Sequence, residues 1–161
     1  KTILTPIMFL FALISLKAQC DIKTVKKPDK NIIKYFNPKP VIRQDNYEVG
    51  VAIYKNTTTD VLFINVSVLF KKMNPLNGNL IIQTTNTNGI ELKPVVSELM
   101  KMNGRDVAIG LYEITKKDFE ELKNYSLKSI FFYIDSELIG STVTENRSVL
   151  KVEFECLKIY L

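Results

Sequence analysis

The chain of 161 residues contains no histidine and no tryptophan, and only two cysteines and six glycines. Without imidazole there is no Ser–His or Cys–His pair, and the usual zinc sites lose their nitrogen ligand. The few glycines fall in no phosphate-cradling loop and in no Gly-x-Ser-x-Gly elbow, and no calcium loop is present. Missing tryptophan weakens a carbohydrate-stacking face. The one pair of adjacent acids, Glu120 and Glu121, sits in a helical pattern that points the two carboxylates in different directions. These absences lead to an expectation of no enzyme, no catalytic residue, no cofactor and no metal.

Long apolar runs are also lacking. The longest, Ile7 to Leu16, has about ten residues, half of what a spanning helix needs. Preceded by Lys1 and followed by Leu16-Lys17-Ala18-Gln19, it reads as a secretory leader, residues 1–18, cut between Ala18 and Gln19. That leaves 143 residues, enough for one domain with a real core. The charge excess falls from +5 to +3 once Lys1 and Lys17 leave, too small to argue for nucleic acid. The expected location is exported: periplasmic, outer-membrane-associated or extracellular, without a transmembrane span.

In an oxidising compartment Cys20 and Cys156 are a candidate disulfide that ties the mature N-terminus to the end of the domain. Closing so long a loop contributes about 4–5 kcal/mol in the chain-entropy picture. Two alternatives stand beside it. Cys20 as a lipid anchor suffers from Gln19, because a lipobox wants a small residue there. Two unpaired thiols are the other.

Residues 19–45 read as a basic linker or arm, punctuated by Pro28, Pro38 and Pro40. Within it, Ile32 to Phe36 and Val41-Ile42 have the makings of short edge strands. Lys23, Lys26, Lys27 and Lys30 are candidate polyanion contacts, toward glycan or anionic lipid headgroups; a solvated linker is the plainer reading. From 46 to 161 the pattern is that of a single β-sandwich domain. Tyr47, Val49, Val51 and Ile53 alternate with Glu48, Gly50, Ala52 and Tyr54, and Leu62 to Phe70 alternates likewise, so the two pair as a hairpin. Leu80–Thr85 and Ile90–Lys93 flank Asn88-Gly89, and Asn103-Gly104 is a second turn that pairs Met102 with Arg105. Val95–Met102 stays ambiguous. Val107, Ile109 and Leu111 read as one apolar face, and Ile130–Ile134 as a central strand covered on both sides. Leu150, Val152, Phe154 and Cys156 alternate with charges and predict a final strand.

One helix is legible. Thr115 is an N-cap type with Asp118 at N3, and Ile114 and Phe119 are spaced as a hydrophobic staple. Phe119 and Leu122 share a face, predicting a short crossover helix over about 116–124. About eight strands and this helix give a mainly β fold, an antiparallel β-sandwich.

The run from Gly110 to Asp135, through Ile114, Thr115, Asp118, Leu122, Leu127, Ile130 and Tyr133, resembles a pattern in small exported Bacteroidetes proteins of unknown function. That resemblance spans about a sixth of the chain and implies a sandwich with a crossover helix. It implies no activity. The expected function is an exported, non-enzymatic envelope or secreted protein, a protein-interaction or structural module with a cell-surface protein partner. The alternative is a module for glycan or lipid headgroups that uses the arm 21–45 and the exposed tyrosines.

Overall fold

The computed structural model describes residues 20–70, 74–86, 89–102 and 104–158. The leader over 1–18, and with it Asn88, Asn103 and Tyr160, lies outside them. The chain runs β1 (Lys23–Lys26), β2 (Ile32–Tyr35), β3 (Lys39–Arg43), β4 (Tyr47–Asn56), β5 (Val61–Phe70), β6 (Leu80–Thr84), β7 (Ile90–Leu92), β8 (Pro94–Met102), β9 (Arg105–Ile114), α1 (Lys116–Asn124), β10 (Leu127–Ile134), β11 (Glu137–Thr142) and α2 (Val149–Lys158). Seven strands form one sheet, ordered β1-β2-β4-β5-β9-β8 with β3 also on β4; four form a second, ordered β11-β10-β6-β7. Every ladder between these strands is antiparallel. The fold is mainly β and sandwich-like, as the strand and turn pattern predicts.

Alternation decides which face of the large sheet meets the second layer. Val49, Val51 and Ile53 of β4 pair with Val68, Val66 and Ile64 of β5, and all are buried. On β9 the inward residues are Ala108, Gly110, Tyr112 and Ile114, so the apolar face of Val107, Ile109 and Leu111 is the outer one. Three small or aromatic residues concealed the true face: a β-carbon on Gly110 would lie 2.6 Å from the Tyr112 ring, which folds over it. In the second sheet β10 is central, with Ile130, Phe132 and Ile134 buried, but Phe131 and Tyr133 are only half-buried. β8 turns into β9 with Met102 opposite Arg105, and Gly104 takes φ +76°, the positive φ that the expected turn asks of it. The β6–β7 hairpin is longer than a two-residue turn, since Ile82 pairs with Ile90.

Two boundaries need correction. Of the linker expected over 19–45, the described part from Cys20 is not one: β1, β2 and β3 belong to the large sheet, and Phe36, Val41 and Ile42 sit in its core. The domain therefore includes them, and it has eleven strands rather than eight. The final segment is helix α2, not a strand. Its buried residues are Val149, Leu150, Glu153, Phe154, Cys156 and Leu157, spaced three and four apart. The charge on Glu153 suggested an outward position and made a period of two look clean.

Helix α1 matches its expected bounds and carries the chain from β9 in one sheet to β10 in the other. The Asp118 N–H donates to Thr115 Oγ1 at 3.3 Å, Phe119 stands edge-on to Phe154 of α2 at 4.8 Å, and Leu122 is fully buried. Nine residues make a marginal helix alone, so packing holds it. We expect Leu122→Ala to cost about 2–4 kcal/mol in urea or thermal unfolding, as buried leucine truncations do; an unchanged midpoint would contradict the packing of α1.

Candidate functional site

Strand β4 has ten residues, but no single strand covers its outer edge. β2 pairs with Tyr54, Lys55 and Asn56; β3 pairs with Glu48 to Val51. Between them Asn37 and Pro38 lift the chain away, and proline has no N–H to give to a ladder. The Phe36 N–H still reaches the Ile53 carbonyl at 3.3 Å. The Ile53 N–H is left to a side chain: Glu153 of α2 accepts it on Oε2 at 2.7 Å. Glu153 is 1% exposed, and its second oxygen, Oε1, has no partner among the described residues. Burial pushes this carboxyl up to about 8, against opposing pulls from the Ile53 N–H and the Lys39 charge. It is protonated at neutral pH, so its free oxygen carries or shares a proton rather than a full charge.

One turn on from Glu153, Cys156 is bonded to Cys20, with Cα atoms 5.7 Å apart. Cys156 is buried and Cys20 half-buried. Glu153 and both sulfur residues line one cavity of about 260 Å³, closed by Phe36, Pro38 and Lys39. The pairing joins the first described residue to a helix, not to the strand expected from the sequence.

The outer face of the large sheet is a second feature. Its residues are Tyr35 and Tyr54, with ring centroids 5.1 Å apart, then Phe63, Leu69, Ile109 and Leu111, all half-buried. No second layer of described residues covers them. Asn65 lies beneath, 2% exposed; its amide helps bind the Tyr54 hydroxyl, while Oδ1 finds no partner. Toward β3 the face sinks into a trough of about 790 Å³, because Gly50 and Ser67 are small; Lys23, Arg105 and Glu48 stand on its rim. A β-carbon at Gly50 would come 2.8 Å from Ser67 Oγ.

At the other end this face runs onto β8, which pairs with β9 alone. Val95, Leu99 and Met100 of that strand are 53%, 47% and 46% exposed. Val96 lies opposite Leu111 and Met100 opposite Val107, so these two extend the outer face with Glu98 between them, while Leu99, opposite Ala108, belongs to the other face; among the described residues nothing pairs with the far edge of β8.

The four candidate lysines divide. Lys26, Lys27 and Lys30 are exposed around the β1–β2 turn, where Lys30 takes φ +68°. Lys23 is three residues away, opposite Tyr35; its Nζ donates to Asn37 Oδ1 at 2.9 Å on the trough rim. The turn lysines line none of the cavities described here. Sequence reading missed Glu153 altogether. The signal was its place three residues before Cys156, visible only if the segment is read at helical spacing. Among the described residues no group of three or more His, Cys, Asp or Glu side chains is placed to hold a metal ion, and no helix is long and apolar enough to cross a membrane.

Between its ordinary value of 4.5 and about 8, Glu153 holds a proton that the unfolded chain has released. Stability therefore falls as pH rises through that window, by up to about 1.4 kcal/mol per unit, and levels off above it. Glu153→Gln keeps an acceptor for Ile53 without the titration. Urea unfolding from pH 4 to pH 9 should show the variant gaining on the wild type as pH rises; parallel curves would contradict a buried neutral acid.

No family model, curated protein or solved structure matches this chain.

Proposed function

We propose that this is an exported, non-enzymatic interaction module that takes an extended polypeptide from another protein onto strand β8. The observation that carries the reading is β8 itself, a nine-residue edge strand whose outer edge has no partner among the described residues and whose Val95, Leu99 and Met100 are exposed. Sheet edges present a row of N–H and C=O groups that another backbone satisfies best, and native proteins usually cover or charge them. Here the devices are Pro94 and the register shift between it and Val96 at the start, and the single charges Glu98 and Lys101. An added strand would gain main-chain hydrogen bonds from the edge, and its alternate side chains would extend the outer face of Ile109, Leu111 and Val96. The polar rim of Lys23, Arg105 and Glu48 around an apolar centre has the layout of a protein interface.

Export is supported by the charged and apolar leader over 1–18 and by the Cys20–Cys156 bond. The alternative, glycan or anionic lipid headgroups held by the arm 21–45, draws less support. That segment is built into the sheet, its lysines separate, and Tyr35 and Tyr54 pack on each other.

Extended peptides selected from a random library against the folded protein should shift the amide resonances of residues 94–102. Leu99→Lys with Met100→Lys should weaken their binding at least tenfold while leaving the melting temperature unchanged. Selected peptides that leave the β8 amides untouched would overturn the proposal. So would self-association abolished by the same double variant, which would make the partner a second copy of this chain.

A further inference from the structure

We infer that the Cys20–Cys156 bond is exchange-active toward an external dithiol, with the Glu153 carboxyl protonating the thiolate that leaves. This goes beyond strand capture and rests on different residues. The geometry sets three things side by side. Glu153 and Cys156 are one helical turn apart and line the same cavity as Cys20. One oxygen of Glu153 is spent on the Ile53 N–H, and the other is buried with no partner among the described residues. Of the two sulfur residues Cys20 is the more accessible, so an incoming thiolate has a defined point of attack. A helix that merely covered β4 would need only the first oxygen. The second is an acid held dry beside a disulfide.

The step balances as follows. A thiolate of the dithiol attacks Cys20 Sγ, the S–S bond breaks, and the electron pair leaves on Cys156 Sγ. That sulfur takes the proton from Glu153, giving a Cys156 thiol and a Glu153 carboxylate. The second thiol of the dithiol loses its proton to solvent and attacks the mixed disulfide, releasing Cys20 as a thiolate that solvent protonates. The dithiol is oxidised by two electrons, the protein pair is reduced by two, and Glu153 recovers its proton from water. Protonating the leaving sulfur at once disfavours the back-reaction and speeds exchange. Asp21, Lys39 and Tyr54 are the other charged or titratable groups facing Glu153 in this region. Lys39 favours the carboxylate that forms.

The test uses the folded oxidised protein and dithiothreitol, with the rate divided by the thiolate concentration at each pH. For the wild type this normalised rate should be level near pH 7 and fall at least tenfold once Glu153 has lost its proton, by about pH 9. Glu153→Gln should be at least tenfold slower at pH 7 and flat with pH. A variant as fast as the wild type would overturn the inference. A wild-type rate that saturates with dithiothreitol at the rate of global unfolding would do the same, because the bond would then open only in the unfolded chain. Should the variant fail to fold, the wild-type profile alone decides: the fall above pH 8 supports proton transfer, and a level profile refutes it.

Discussion

The large sheet depends on how the outer edge of β4 is completed. Ten residues of that strand point their odd-numbered side chains into the core, and β5 satisfies its other edge without interruption. On the outer edge two short strands meet end to end, with a gap where Pro38 turns the chain. A buried N–H left unpaired in that gap would cost about 1–3 kcal/mol. Glu153 fills it from a helix a hundred residues away in sequence. That contact ties α2 to β4 and sets Cys156 one turn further on; burial of the same carboxyl, against the pull of the Ile53 N–H, favours its neutral state.

Much of the architecture was legible because period-two alternation and helix capping are local. Thr115, Asp118, Phe119 and Leu122 mark α1, and the β8–β9 register has Met102 opposite Arg105 as the turn signal predicts. What alternation left open was which way a pattern faced. On β9 the larger aliphatic residues lie outside because Tyr112 and Gly110 fit together within, a pairing that no hydropathy pattern reveals. Helix α2 failed for a related reason. Valine, phenylalanine and cysteine favour strands, and a glutamate at a core position breaks the helical stripe. Packing against β4 and α1 overrode that preference. Strands β1 to β3 were obscured by prolines and lysines, which edge strands accept and central ones do not.

The two candidate surfaces lie on different parts of the molecule and rest on different physics. The outer face and β8 offer unpaired backbone and apolar area, which suit recognition. The Glu153 cavity offers a dry acid and a disulfide, which suit proton-coupled chemistry. Asn37 and Pro38 connect the two, since the same lifted segment that leaves the Ile53 N–H to Glu153 also borders the trough.

The bond between Ile53 and Glu153 has a consequence for how the chain acquires its structure. The polypeptide emerges N-terminus first, so β1 to β5 are available for pairing well before α2 exists. During that interval the Ile53 N–H lacks the Glu153 acceptor, and β4 lacks the helix that later packs on it. The nascent sheet must wait, partly wetted, for its last helix. A chain stalled before residue 149 would hold most of its strands and still lack the seal over its central one.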